Sequence, residues 1–246
     1  MVPEGSHVRS VYLDPSTGIL TTPLSSKLLI DCSTIDTATS LSVRSHIAAT
    51  SPSAGFYDAP VSGGVLGAES ATMTFMLGCA RSDARFQELH DLLGLMGGNV
   101  FPCGGPGLGL TAKLCNNYCS GLIAIATSEA MDIGIKAGMD PRVLAEVFHT
   151  SLAQSCISDR WNPVPGICPE APASRGYKPG FKVGLMRKDF ALAVDTAERV
   201  GAKLALGGKG LEVYTGAMQD ERCRDLDSRV VFRYLGGDED WEKRFR

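Results

Sequence analysis

Short apolar runs separated by turn residues make up the first part of the chain. Each run has five or six residues, the length of a buried strand, and the four runs are 27–31, 55–59, 72–77 and 99–103. Two stretches between them repeat apolar positions every three or four residues, which predicts helices over 33–46 and 83–95. Ser33 or Thr34 is the expected cap of the first. The alternation of strands and helices predicts an α/β fold.

After Thr111 the apolar positions keep a helical period. One long helix is predicted from about Thr111 to Ala137, and it is rich in small residues. Shorter helices are predicted over 141–150, 184–200 and 209–219. The proline-rich stretch 161–180 is expected to be irregular. We therefore predict two domains joined by the long helix, an α/β domain over 1–108 and an all-helical domain over 109–246.

Composition excludes several classes of protein. A chain of 246 residues with 44% hydrophobic residues can form a substantial core. Its net charge of −3 and the lack of a long basic run argue against nucleic acid as a partner. The eight cysteines form no CxxC pair and the four histidines are scattered, so we expect no metal site and no disulfide framework. No apolar stretch is long enough for a membrane span.

A glycine-rich turn places one lysine in the first turns of the long helix. The segment 104–117 reads GGPGLGLTAKLCNN, so Asn116 and Asn117 follow Lys113 on the same helical face. An ammonium held in apolar surroundings releases its proton more readily, which makes it a candidate general acid or base. A lysine whose head reaches solvent at a helix start is the structural alternative, and the pattern alone leaves both open.

A second glycine turn lies within 62–67. Ser62, Gly63 and Gly64 offer backbone N–H groups that no side chain obstructs, and such a turn can bind an anion such as a substrate carboxylate. An ordinary turn between strands is the alternative.

Four segments in this order resemble the β-hydroxyacid dehydrogenases. They are LLIDCSTID at 28–36, FYDAPVSGGVLGAESATMTFMLG at 56–78, the lysine segment at 104–117 and GFKVGLMRKDFALA at 180–193. The resemblance covers nearly the whole chain. It implies a Rossmann-like cofactor domain followed by a helical domain that binds substrate and dimerises.

The resemblance also assigns roles to single residues. It implies that Lys113 is the catalytic lysine, which manages the hydroxyl proton of the substrate. Substrate-binding positions are matched by Ser62, Gly63, Gly64 and Asn117. Cofactor-binding positions are matched by Val2, Pro3, Thr34 and Lys188. Asn116 and Asp189 are expected to have supporting structural roles.

The implied activity is the oxidation of a small 3-hydroxy acid. The cofactor would be NAD, with NADP possible, and 3-hydroxyisobutyrate, an intermediate of valine breakdown, would be the leading substrate. The segment WNPVPG at 161–166 favours that substrate, and glyoxylate or succinate semialdehyde are the alternatives. The resemblance further implies a homo-oligomer, and a mitochondrial or, alternatively, cytoplasmic location. The first twenty residues do not have the pattern of a secretory signal.

One expected motif does not occur in the sequence. A dinucleotide-binding domain carries G-x-G-x-x-G after its first strand, but the run from Gly105 to Gly109 has Leu110 at the sixth position, and no second strand is predicted after it. We therefore expect that the N-terminal half of the cofactor domain is missing and that the chain binds NAD weakly. This leaves a second interpretation open, a truncated, non-catalytic relative that dimerises.

Overall fold

The computed structural model describes residues 1–245, and the chain divides into two compact units inside its longest helix, the first spanning Met1–Asn116. The domain boundary near residue 108 stays a prediction. The strands of the first unit are β1 (Leu28–Asp31), β2 (Gly55–Asp58), β3 (Val61–Ser62), β4 (Met73–Leu77) and β5 (Gly97–Pro102). Its helices are α1 (Gly5–Leu13), α2 (Thr37–Thr50), α3 (Gly64–Glu69), α4 (Phe86–Gly94) and the start of α5 (Leu108–Lys136), with a 3₁₀ turn at Ile19–Thr21.

The strands of the first unit are mostly parallel. β1 pairs with β2 in parallel, so that Asp31 and Asp58 lie side by side at the carboxyl ends of the two strands. β4 pairs with β5 in parallel and with the short β3 in antiparallel. The two groups of strands are linked because the N–H of Gly78, just after β4, donates to the carbonyl of Asp58 at 2.7 Å.

Apolar side chains cover both faces of these strands, as an α/β architecture requires. Neighbouring residues of β2 point to opposite faces: Phe56 packs in the core formed with α1 and α2, whereas Tyr57 packs in the core formed with α4. Leu110, in the first turn of α5, belongs to the core on the α1 and α2 side. The start of α5 is therefore part of the packed interior of this unit.

The structure of this unit differs locally from the prediction. Helix α1 was not predicted, because only Val8 and Tyr12 form its buried stripe. The cap of α2 is Asp36, whose side chain accepts the N–H of Thr39 at 2.7 Å, and neither Ser33 nor Thr34 has this role. The turn at 62–67 is irregular only at its start, because α3 begins at Gly64.

The second unit is built from helices. The helices after α5 are α6 (Pro141–Thr150), α7 (Cys156–Arg160), α8 (Val183–Val200), α9 (Gly207–Gln219) and α10 (Val231–Tyr234). Three 3₁₀ turns lie at Pro172–Arg175, Ser228–Val230 and Trp241–Lys243. Regular elements of the described part of this unit are all helical, apart from an isolated bridge between Lys182 and Asp227. The α/β fold followed by a helical region is confirmed, and the helix predicted from 111 to 137 runs from 108 to 136.

Two glycines let the helices of the second unit approach closely. A side chain at Gly121 on α5 or at Gly210 on α9 would press into the ring of Phe190 on α8. The hydroxyl of the fully buried Tyr214 donates to the carbonyl of Gly121 at 2.8 Å. This part of α5 is thus fixed by packing and by one buried hydrogen bond. Over residues 1–245, none of the helices has the length and apolar character needed to span a bilayer.

The first turn of α5 tolerates no side chain at Gly109, where a Cβ atom would overlap the carbonyl oxygen of Met76. We expect Gly109→Ala to lower the free energy of unfolding by about 1–3 kcal/mol, as overpacking of a core does. Gly94→Ala is the control, since nothing lies within 4 Å of that Cβ position at the end of α4. Urea unfolding followed by circular dichroism measures both. Equal stability of the two variants would contradict the packing described here.

Candidate active site

Lys113 lies in the second turn of α5, and its residue is only 8% exposed. Most of the surface of this lysine is therefore withdrawn from solvent, which favours a role as general acid or base over a side chain that extends into solvent. Asn117, one turn later on the same helix, is 5% exposed, whereas Asn116 is exposed. Of the two asparagines, only Asn117 is therefore buried on the same helical face as Lys113.

Asn117 is hydrogen bonded within the second unit. Its side-chain amide donates to Oδ2 of Asp189 on α8 at 2.6 Å. Nζ of Lys188 lies 3.1 Å from Oδ1 of the same carboxylate. Asp189 is 2% exposed, so the carboxylate joins two of the predicted site residues in a buried network. These contacts fix the orientation of the Asn117 side-chain amide, because a buried carboxylate is most stable when its oxygens have hydrogen-bond or ionic partners.

The carboxyl end of β1 holds a second group of predicted residues. Ser33 is fully buried and donates from its backbone N–H and from its hydroxyl to Oδ1 of Asp31, at 3.0 and 2.6 Å. The same hydroxyl accepts the N–H of Val2 at 2.9 Å. Asp31 and Ser33 therefore hold Val2 at the carboxyl end of β1, next to the position in the chain that Thr34 occupies. Ligands of open α/β sheets bind at this end of the strands.

Cys32 lies between Asp31 and Ser33 in the sequence, and its thiol is expected to be a poor nucleophile. Burial is the main cause that raises the pKa of its thiol to about 11, so the sulfur stays protonated at neutral pH. Burial therefore disfavours a thiolate nucleophile at this position.

Backbone conformation at the turn after β3 requires glycine. Gly63 and Gly64 have φ values of +142° and +65°, which residues with side chains rarely adopt. A Cβ atom at Gly63 would lie 2.8 Å from Sδ of Met73, whereas nothing lies within 4 Å of that position at Gly64. The turn therefore packs against Met73 at Gly63 and has open space beside Gly64. Its role as a carboxylate-binding turn stays a prediction.

The structure thus gathers some predicted residues and adds two buried acids, Asp31 and Asp58, for which no role at the site was predicted. Val2 is joined to Ser33, the chain neighbour of Thr34, and Asn117 and Lys188 come together through a shared carboxylate. Asp189 was expected to have a supporting structural role, and its contacts with Asn117 and Lys188 fit that expectation. Asp31 and Asp58 each end an apolar strand, and that position was the available signal.

Comparison with known proteins shows the class to which the chain belongs. The model "NAD binding domain of 6-phosphogluconate dehydrogenase" matches residues 1–105, and "NAD-binding of NADP-dependent 3-hydroxyisobutyrate dehydrogenase" matches residues 107–235. Together they define an NAD(P)-binding oxidoreductase with a Rossmann-like domain.

Relatives narrow this class. The chain is 45% identical to the probable mitochondrial 3-hydroxyisobutyrate dehydrogenase of Dictyostelium discoideum, over 96% of the chain and 71% of the relative. It is 40% identical to the 3-hydroxyisobutyrate dehydrogenase of Pseudomonas aeruginosa, over 97% and 79%. The structure of the Mycobacterium tuberculosis enzyme with L-serine superimposes with a TM-score of 0.85 at 34% identity, covering 96% of this chain and 77% of that one. The chain belongs to the family of 3-hydroxyisobutyrate dehydrogenases, as its resemblance predicted.

One expectation loses its support here. The cofactor domain was expected to lack its N-terminal half, but the NAD-binding family model matches the chain from residue 1 to residue 105.

The chemistry of the described residues at the carboxyl end of β1 is compatible with a bound nicotinamide cofactor. Asp31 and Ser33 fix the backbone at the carboxyl end of β1, and the turn at Gly64 leaves open space. Thr34 directly follows Ser33 in the sequence and is partly exposed. Residues 1–245 contain no group of three His, Cys, Asp or Glu side chains arranged to hold a metal ion.

Proposed function

We propose that this chain oxidises 3-hydroxyisobutyrate to methylmalonate semialdehyde with NAD, or alternatively NADP. Family membership supports the class of reaction, and the names of the relatives support the substrate. The observation that carries the proposal is Lys113, an ionisable side chain held at 8% exposure in the α/β unit of a nicotinamide-binding family. Groups that exchange protons in catalysis are typically buried in this way.

Lys113 has the proton-transfer role in this proposal. Oxidation of a primary alcohol removes a hydride from the carbon and a proton from the hydroxyl. A nicotinamide, when bound, supplies the hydride acceptor. Nζ of Lys113, in its neutral form, accepts the hydroxyl proton; in the reverse reaction its ammonium form donates that proton to the carbonyl oxygen.

Four residues are proposed to hold the substrate. Backbone N–H groups of Gly63 and Gly64, with the hydroxyl of Ser62, are proposed to bind the carboxylate. The positive φ values of the two glycines support this, because side chains would crowd such a turn. Asn117 is proposed to orient the hydroxyl through its amide, whose other contact is the carboxylate of Asp189.

The cofactor is proposed to contact Val2, Pro3 and Thr34 at the carboxyl end of β1, and Lys188 on α8. The hydrogen bond between Val2 and Ser33 supports the first three as one group. Lys188 is proposed as a charge that approaches the cofactor, and Asp189 holds its ammonium.

Two alternatives use the same residues. The machinery could act on another small hydroxy acid or semialdehyde. The chain could also be a non-catalytic relative, an interpretation favoured by one observation, the lack of G-x-G-x-x-G in the sequence.

We also propose a mitochondrial location, supported by the Dictyostelium relative, with a cytoplasmic location as the alternative, since the Pseudomonas relative is bacterial.

Substitution of Lys113 tests the proposed function. We expect Lys113→Ala to lower kcat for 3-hydroxyisobutyrate by about 10²–10⁴-fold, with the KM for NAD little changed, because a positioned proton acceptor is lost. Lys136→Ala on the same helix is the control, since that exposed lysine pairs with Asp132 at the surface. Steady-state formation of NADH measures both. A wild-type chain without turnover, or an alanine variant with normal kcat and raised KM, would contradict the role assigned here.

Titration with NAD separates the catalytic from the non-catalytic interpretation. A working dehydrogenase binds NAD with a Kd in the micromolar to millimolar range in which KM values lie. Isothermal titration calorimetry of the 246-residue chain with NAD and with NADP gives this value and the preferred cofactor. A flat titration with both nucleotides would support the non-catalytic relative.

We further propose a homo-oligomer formed by the helical unit. Its surface exposes Ile133 on α5 together with Val143 and Val147, which lie one turn apart on α6. Isolated apolar residues are common on surfaces, but a group of them on adjoining elements marks an interface. In sedimentation velocity, we expect an oligomer at micromolar concentration and a monomer for Val143→Glu/Val147→Glu. Glu146→Gln on the same helix is the control. A monomeric wild-type chain would refute this proposal.

A further inference from the structure

Asp58 is a buried acid that the proposed reaction does not use. It ends β2 and is 3% exposed. Its two carboxylate oxygens accept different backbone N–H groups: Oδ1 accepts that of Gly107 at 2.8 Å, and Oδ2 accepts that of Leu110 at 3.0 Å. These partners are 49 and 52 residues away along the chain. Both lie at the start of α5, the helix that carries Lys113.

The carboxylate meets the needs of a helix start. The first N–H groups of a helix have no carbonyl partner within the helix, and they carry a partial positive charge. Most helices meet this need with a side chain just before the first turn, as Asp36 does for α2. In α5 the acceptor comes from a strand of the sheet instead, so the start of the helix is tied to β2.

The space around the carboxylate of Asp58 has no room for side chains at two neighbouring glycines. A Cβ atom at Gly78 would overlap the carboxylate of Asp58, and one at Gly109 would lie 2.8 Å from Oδ2. Burial raises the pKa of Asp58 above the usual value for an aspartate, while the N–H groups of Gly107 and Leu110 act in the opposite direction. Two glycines thus leave room for one carboxylate, and two hydrogen bonds offset part of its desolvation.

We propose that Asp58 is a positioning residue for Lys113. Lys113 follows Leu110 by three residues, so the hydrogen-bonded turn and the lysine are neighbouring turns on one side of α5. A helix start held at two points fixes both the rotation and the height of the next turn. The position of the Lys113 ammonium relative to the strands is therefore fixed. Asp58 affects the reaction only by holding Lys113 in this position. This inference rests on the proposed function of Lys113.

The carboxylate is required for its two acceptor oxygens. An asparagine offers one oxygen and one NH₂ group, and the NH₂ group would face the N–H of Gly107 or Leu110. Asp58→Asn keeps the size of the side chain and breaks one of the two attachments. It is therefore the sharpest change available, and Asp36→Asn is the matched control, since it weakens a carboxylate cap on a helix of the same unit without Lys113.

The first readout is kinetic. We expect Asp58→Asn to lower kcat per folded molecule at least tenfold, with KM changed less than twofold and the pH profile of kcat displaced. Asp36→Asn should leave all three close to wild type. A purely structural role would lower the melting temperature of both variants and leave kcat per folded molecule unchanged, and that result would overturn the inference.

The second readout needs no variant and no turnover. In the wild-type protein, NMR signals of the Gly107 and Leu110 amides should follow the titration of the Asp58 carboxyl group. The side-chain signal of Lys113 should move in the same pH range, whereas the Ser51 amide, which donates to the backbone carbonyl of Ile47, should not. A Lys113 signal that does not respond would overturn the inference even if Asp58→Asn does not fold.

These readouts separate two kinds of failure. If Lys113→Ala keeps a normal kcat, the proposed function fails while the NMR titration still reports on Asp58. If Lys113→Ala abolishes turnover and Asp58→Asn has the kcat of the wild type, only the positioning role fails.

Discussion

The hydrogen bonds from the start of α5 to the carboxylate of Asp58 are the constraint on which the α/β unit depends. They join a helix to a strand about fifty residues earlier in the chain, inside a space that only glycine at positions 78 and 109 leaves open. A buried carboxylate is costly unless its oxygens are paired. Here the carboxylate accepts N–H groups that have no carbonyl partner within the helix. The same hydrogen bonds therefore stabilise both the buried carboxylate and the start of the helix.

Other buried acids follow the same logic. Asp31 takes both donors of Ser33, which in turn holds Val2, and Asp189 takes the amide of Asn117 and the ammonium of Lys188. Asp189 thus fixes two polar groups that the proposed function assigns to the substrate and the cofactor, whereas Asp31 acts on the proposed cofactor residue Val2 only through Ser33. Buried polar networks of this kind rigidify a site when every member is satisfied. The sequence alone shows these acids but not their partners.

Patterns of local order were predictable from the sequence, and distant contacts were not. Strands β1, β2, β4 and β5 and the long helix were predicted within a few residues because apolar spacing is a local property. The cap of α2 was misassigned, because Ser33 has a distant partner in Val2 that a local rule cannot reveal. Helix α1 was missed since two buried residues make a weak stripe. Lys113 and Asn117 were named from their segment, whereas Asp58 needed the fold that brings residues 58 and 107 together.

The central claim is that this chain transfers a hydride from the alcohol carbon of 3-hydroxyisobutyrate to a nicotinamide. The most direct measurement incubates the purified chain with NAD and with substrate deuterated at carbon 3, and examines the reduced cofactor by mass spectrometry. The account predicts NADH that is heavier by one mass unit, with the deuterium on the nicotinamide ring. Absence of deuterated NADH, under conditions in which a relative such as the Pseudomonas enzyme forms it, would contradict the account.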